Sequence, residues 1–322
     1  MRVVVAGAGY PSYEAERSAL ARAGAELVVA DGLPAAEIVA ACTEADGILT
    51  DYFPIRAETI RALMRCRIIC AYGVGLNQVD VSAATDAGIV VSHTPECCID
   101  EVADHTLALV LAATRNVALL DRGLRAGSWD YRAGPELRRL AGRTLGLVGF
   151  GRIARAVAHR ASAFGLLVVA FDPNIDDAVF EQAGVGRADL ATLLARSDIL
   201  SVHVPLTAQT RGLIGPDELA ALRPGAVVVN TARGGVVDEA ALTRALSDGV
   251  LAAAGLDVFE HEPLAATNPL LGLDNVVLTP HAAYYSIESQ QTMQEQAAEE
   301  VRRVLMGEPP LYAVNSEVLT AR

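Results

Sequence analysis

The sequence predicts an α/β protein made of two doubly wound parallel-sheet domains. Three observations predict it. Short apolar runs of strand length alternate with amphipathic stretches through nearly all of the 322 residues, the pattern of parallel strands joined by covering helices. Two of those runs end in glycine turns, VVVAGAGY near the N-terminus and LGLVGFGRIA in the middle. The length suits two domains of ordinary size.

In chain order, Arg2 to Ala6 reads as a strand, followed by a helix over Tyr13 to Ala23 and a strand over Glu26 to Ala30. Gly47 to Thr50, Ile68 to Ala71 and Ile89 to Ser92 are the next strands. A long helical stretch, Asp100 to Arg125, has apolar residues on most faces and is expected to be largely buried. A second series of six strands then covers Thr144 to Val148, Leu167 to Phe171, Ile199 to Val202, Ala226 to Asn230, Ala252 to Leu256 and Val276 to Leu278. Helices are expected between them at Ile153 to Phe164, Leu190 to Ala195, Pro216 to Ala221 and Glu239 to Leu246. The last helix, Ser286 to Met306, comes too late to complete the second sheet, so it is expected to pack on the first domain.

Composition excludes several classes. A formal net charge of -13 argues against direct nucleic-acid binding, which needs clustered cations to neutralise phosphates. No segment approaches the ~20 uncharged apolar residues of a membrane span. The N-terminus turns polar after one short strand, unlike a secretory signal, and a cytoplasmic location is expected. Cys42, Cys66, Cys70, Cys97 and Cys98 lack disulfide or zinc spacing, so reduced, packed thiols and no metal are expected.

The two glycine turns are unequal. After Gly7 and Gly9 come Tyr10 and Pro11, where a helix should open. In the second turn, Gly149, Gly151 and Ala154 follow a strand and open a helix, matching the G-x-G-x-x-G/A dinucleotide fingerprint. Gly149 allows the tight turn, Gly151 admits a pyrophosphate, and the helix N-terminus favours the anion. The next strand ends in Asp172, placed to accept from a ribose and to repel a 2′-phosphate. With no Arg close behind Asp172, NAD is expected rather than NADP.

Ligands of such folds lie beyond the carboxyl ends of the strands. Three polar residues follow strands of the second series: Arg233 in NTARGG, Glu262 in LDVFEHEP and His281 in LTPHAA. Each also has a structural reading, as an ion-pair partner, a turn cap or a satisfied core histidine. The small Ala232 and Gly234 are expected to leave room for cofactor and substrate.

The segments VGFGRIA, SVHVPLT, NTARGGVVDEAAL, GLDVFEHEPL and NVVLTPHAA resemble the D-isomer-specific 2-hydroxyacid dehydrogenases, and the resemblance spans nearly the whole chain. It implies a Rossmann NAD-binding domain, 99–285, inserted into a flavodoxin-like substrate domain, 1–98 and 286–322. It implies catalytic roles for Arg233, Glu262 and His281. His281 would supply a proton, a neighbouring Glu262 carboxylate would raise the imidazole pKa, and Arg233 would polarise the carbonyl and hold the carboxylate of a 2-keto acid. NAD contacts are implied at Gly149, Gly151, Arg152, Ile153, Asp172, His203, Pro205, Thr207, Thr231, Ala232 and Thr106, and at Asp257 through the nicotinamide carboxamide. A homodimer is implied as well.

The substrate side departs from the family. AYGVGLNQVD has Gly73, Val74 and Gly75, whose N–H groups are expected to form a carboxylate nest. Its Ala71 replaces an Arg that many relatives use for substrate. Asn77-Gln78 resembles the phosphoglycerate dehydrogenase branch, yet Asp51 stands where a phosphate site would want cations. HAAYYS resembles the C-terminal-binding protein branch, with Tyr284 for a Trp, as an aromatic expected to border the substrate. Two functions follow: an NAD-dependent dehydrogenase of small 2-keto acids, or an NAD(H)-responsive co-repressor-like binding protein with slow residual activity.

Overall fold

The computed structural model describes residues 1–320. The chain divides into two compact units, Met1–Cys98 together with the chain from Tyr285 onward, and Ile99–Tyr284. The first unit opens with β1 (Arg2–Ala6), α1 (Glu14–Ala21), β2 (Glu26–Val29), α2 (Ala35–Thr43), β3 (Gly47–Thr50), α3 (Ala57–Ala62), β4 (Ile68–Ala71), α4 (Val81–Asp86) and β5 (Val90–Ser92). Its five strands are all parallel in the order β2-β1-β3-β4-β5, the flavodoxin-like order. The short helices α2 to α4 were not expected from sequence.

The second unit begins with α5 (Ile99–Thr114) and α6 (Val117–Arg125). The expected single helix is therefore broken. Asn116 takes a left-handed backbone at φ 53°, and its side-chain amide donates to the carbonyls of Ala133 and Pro135. Asn tolerates that conformation better than other residues with a side chain. The expectation of burial holds only for α5, since α6 has no buried residue.

There follow β6 (Thr144–Val148), α7 (Arg152–Ser162), β7 (Leu167–Phe171), α8 (Asp177–Ala183), β8 (Gly186–Arg187), α9 (Leu190–Arg196), β9 (Ile199–Val202), α10 (Pro216–Ala220), β10 (Ala226–Asn230), α11 (Glu239–Ser247), β11 (Leu251–Leu256) and β12 (Val276–Leu278). The sheet has seven strands rather than six, because the two-residue edge strand β8 adds to the expected set. Its order, β12-β11-β10-β9-β6-β7-β8, reverses direction beside β6. That reversal is the switch point where such sheets bind dinucleotides.

Both faces of this sheet are covered. Along β9 and β10, Leu200, Val202 and Val228 enter one buried cluster, while Ile199, Val227 and Val229 enter the other. This two-sided burial explains why the strands read as unbroken apolar runs. The chain then returns to the first unit with α12 (Ile287–Leu305), which packs on α1, β3 and β4, and ends with α13 (Glu317–Thr320). Among the described residues, no helix is long and apolar enough to cross a membrane.

Candidate active site

The register of the seven-stranded sheet sets the site. Val148 pairs with Val202, Val202 with Asn230, Asn230 with Leu256, and Leu256 with Leu278. These five residues form one row at the carboxyl ends of β6, β9, β10, β11 and β12. The chain beyond that row carries Gly149, His203, Arg233, Asp257 and His281 on one edge.

Gly149 has φ +95°, and a β-carbon there would lie 2.9 Å from the His203 carbonyl carbon. Only glycine fits that turn. Gly151 differs: a β-carbon would meet nothing within 4 Å, so the space in front of the α7 N-terminus is open. The first-turn N–H groups of a helix lack intrahelical acceptors, and Arg152 and Ile153 supply them here. Asp172 accepts from the Phe150 N–H and the Asn174 N–H, both at 2.9 Å, which fixes its carboxylate beside the glycine turn. Open glycine, helix N-terminus and anchored carboxylate fit an NAD molecule.

No Arg follows Asp172 closely along the chain, yet folding brings Arg187 to its carbonyl oxygen at 3.3 Å. That guanidinium is engaged by Asp177 and lies over the Phe180 ring, 5.2 Å from its centroid.

His203 donates its backbone N–H to Val148 and places Nε2 2.9 Å from the Ser201 hydroxyl. Burial pushes its imidazole down to about 4, so it is neutral near neutral pH. Pro205 and Thr207 are exposed, tied by the Thr210 hydroxyl to the Pro205 carbonyl at 2.5 Å and to the Thr207 N–H at 2.8 Å. Thr106 and Thr231 are buried and share a hydroxyl bond at 2.8 Å, joining α5 to the end of β10.

Asn230 shapes the turn that presents Arg233. Its side-chain carbonyl accepts the Ala232 N–H at 3.0 Å, and its amide donates to the Arg233 carbonyl at 2.9 Å. The sequence reading passed over Asn230, although a polar residue closing the buried run AVVVN was its visible signal. Gly234 also has a different reason from the one expected. A β-carbon there would fall 1.9 Å from the Phe259 carbonyl carbon, so its smallness admits the passing Phe259–Glu260 backbone, not a ligand.

His281 Nδ1 lies 2.6 Å from Glu262 Oε2, while Glu262 Oε1 accepts the Phe259 N–H at 2.9 Å. Glu262 thus does both things the sequence allowed, capping a turn and pairing with the histidine. Burial works to raise its pKa. The bonds from His281 and Phe259 and the charges of His281 and Arg233 outweigh that, holding it below the ordinary carboxylate range. Arg233 is therefore near enough to act on Glu262 electrostatically. With Nδ1 facing a carboxylate, His281 presents Nε2 as its second donor site. Tyr284 stands edge-on to the imidazole, with centroids 6.3 Å apart. Asp257 is fully buried, and its carboxylate accepts the N–H groups of Ala282 and Ala283.

In the first unit, Ala71 is buried at the end of β4. The expected nest is smaller than foreseen, because the Gly73 N–H is spent on the Thr94 hydroxyl at 2.7 Å. Val74 and Gly75 keep the turn, with the Val74 carbonyl 2.9 Å from His93 Nδ1. Asp51, just after β3, accepts the Tyr10 hydroxyl at 2.8 Å. All five cysteines are free and buried, and among the described residues no His, Cys, Asp or Glu cluster could hold a metal ion.

Residues 107–283 match the family model described as D-isomer specific 2-hydroxyacid dehydrogenase, NAD binding domain. A glyoxylate reductase of Korarchaeum cryptofilum is 43% identical over 289 residues, 89% of this chain and 86% of that protein. A D-3-phosphoglycerate dehydrogenase of Archaeoglobus fulgidus is 40% identical over 98% of this chain, which spans only 59% of its length. The crystal structure of a glyoxylate reductase from Paecilomyes thermophila superposes with a TM-score of 0.90 at 32% identity, covering 98% of this chain and 99% of that one. The chain belongs to the D-isomer specific 2-hydroxyacid dehydrogenases, and it is an NAD-dependent oxidoreductase acting on CH–OH groups.

Proposed function

We propose that this enzyme reduces a small, glyoxylate-like 2-keto acid to its 2-hydroxy acid, with D stereochemistry where the product is chiral. The observation that carries the reading is the 2.6 Å His281–Glu262 pair, with Arg233 acting on the same carboxylate, on the strand-end row that also carries the dinucleotide turn. NADH, when bound, supplies the hydride. Gly149, Gly151, Arg152 and Ile153 would hold its pyrophosphate, Asp172 its ribose, and His203, Pro205, Thr207, Thr231 and Ala232 would line its path, with the buried Thr106 acting through its bond to Thr231. His281 gives its Nε2 proton to the carbonyl oxygen as that oxygen gains charge, and Glu262 keeps the ring oriented throughout. Arg233 stays charged while partly desolvated, anchors the substrate carboxylate and stabilises the developing alkoxide.

Within the first unit, Val74 and Gly75 would offer amides to a carboxylate, with Gly73 shaping their turn. Tyr284, edge-on to His281, would border the substrate there. The acidic Asp51 counts against a phosphorylated substrate, so 3-phosphohydroxypyruvate ranks below glyoxylate and hydroxypyruvate. NADH oxidation with these three and pyruvate tests the reading. Turnover of the small acids is expected, and no turnover of any of them contradicts it.

The working form is a homodimer in the cytoplasm, where five free thiols stay reduced. The dimer reading is supported by the segment from α6 onward, which exposes Val117 (54%), Leu124 (56%), Trp129 (91%) and Tyr131 (73%). An apolar group of this kind suits an interface. Trp129 is the only tryptophan, so its emission should shift to the blue as the protein concentration crosses the dimer dissociation constant. A monomer by light scattering at all concentrations contradicts the assignment.

A further inference from the structure

We propose that Asp257, Thr279 and His105 form a positioning network that holds His281 in its working conformation. The inference rests on the reading of His281 as the proton donor, and it gives Asp257 a task beyond the nicotinamide contact that family resemblance implies.

His281 has φ +52°, a left-handed backbone that among the described residues only Asn116 shares outside glycine. A residue with a full side chain persists there only when its surroundings over-determine it. Asp257 supplies most of that determination. Its backbone carbonyl accepts the His281 N–H at 2.8 Å. Its Oδ1 accepts the Thr279 hydroxyl at 2.6 Å and the Ala282 N–H at 2.8 Å, and its Oδ2 accepts the Ala283 N–H at 2.9 Å. One fully buried residue therefore grips the chain on both sides of His281.

The grip extends to α5. A threonine hydroxyl has a single proton, and Thr279 spends it on Asp257. Its oxygen must then accept from His105, whose Nε2 lies 2.9 Å away. This assigns His105 the Nε2–H tautomer. His105 Nε2 also lies 3.6 Å from Asp257 Oδ1. It sits beside Thr106, whose hydroxyl is bonded to Thr231 after β10. Helix α5 packs on β10, β11 and β12 and so offers a rigid anchor for the turn that carries His281.

Removing the Thr279 hydroxyl takes a donor from Asp257 and the acceptor from His105, and it frees the turn to leave the left-handed conformation. Misplacement of a reacting group by about 1 Å costs on the order of 100-fold in rate. Thr279→Val is therefore expected to lower kcat for glyoxylate reduction about 10- to 100-fold, with KM for glyoxylate and Kd for NADH within about threefold of wild type. Thr279→Ser should restore kcat to within about threefold. His105→Leu, a second variant independent of Thr279 folding, should lower kcat in the same selective way. His281→Gln is the control for the parent reading: if it keeps wild-type kcat, that reading fails. If His281→Gln is impaired while soluble Thr279→Val or His105→Leu keeps wild-type kcat, the positioning network is wrong. A large rise in NADH Kd at unchanged kcat overturns it too, because the residues would then serve the cofactor alone.

Discussion

Two of the strand–glycine openings lie at matching places in two parallel sheets, and they have opposite fates. After β1, the N–H groups of Ala8 and Gly9 are both donated to the Asp31 carboxylate at 2.9 Å. The Tyr13 hydroxyl reaches the same carboxylate, and α1 starts only at Glu14. After β6, Asp172 takes only the Phe150 N–H from the turn, Gly151 faces open space, and α7 starts at once with Arg152. In each sheet the acidic residue follows the strand paired with the first one, β2 or β7. The first turn has filled its anion place with the protein's own carboxylate. The second leaves the space before Gly151 open, and its helix begins at once beside it. A G-x-G after a strand therefore carries no function until the fate of its N–H groups is known.

The largest effect that sharpens this comparison is expected from Gly149→Val. The branched side chain would collide with the His203 backbone at a left-handed position, so NADH binding, read by fluorescence titration, should be lost. Next, Asp31→Ala should cost about 2 kcal/mol of stability by urea unfolding, because it strands several donors, while NADH affinity stays unchanged. Asp172→Ala should do the reverse. Its Kd for NADH should rise about tenfold, roughly 1.4 kcal/mol, and the preference for NADH over NADPH should narrow, since the repelling charge is gone and Arg187 is nearby.

A smaller effect concerns pH. Burial first, then the bond to Asp31, raises the Tyr13 pKa above its ordinary value near 10. A group raised on folding contributes stability that is fully present below the unfolded pKa and lost as pH rises through the folded one. Urea midpoints of the wild type should therefore fall more steeply above about pH 10 than those of Tyr13→Phe. Parallel curves would break the assignment. Smallest of all, Gly9→Ala adds a β-carbon that meets nothing within 4 Å, at φ +72°. About 1 kcal/mol of backbone cost is expected, with cofactor affinity untouched.

Strands were the most legible part of this chain, because burial on both faces leaves unbroken apolar runs. The bounds of β6, β9 and β10 follow directly from such runs. What escaped was short or polar. Neither α8 nor the two-residue β8 is long enough to show a period, and the break at Asn116 depends on carbonyls of a later loop. Within the site, Arg233, Glu262 and His281 were visible because polar residues after buried strands stand out. Gly234, Arg187, Thr279 and His105 were not, because what explains each is a contact with a distant part of the chain. The steric need at Gly234, for example, comes from the backbone at Phe259.

The most direct measurement is steady-state kcat/KM for glyoxylate reduction by Arg233→Ala beside the wild type, with NADH Kd measured on both. The account predicts a fall of at least about 100-fold in kcat/KM, some 3 kcal/mol of transition-state stabilisation, with NADH affinity nearly unchanged. A variant that turns over glyoxylate at close to the wild-type rate would contradict it.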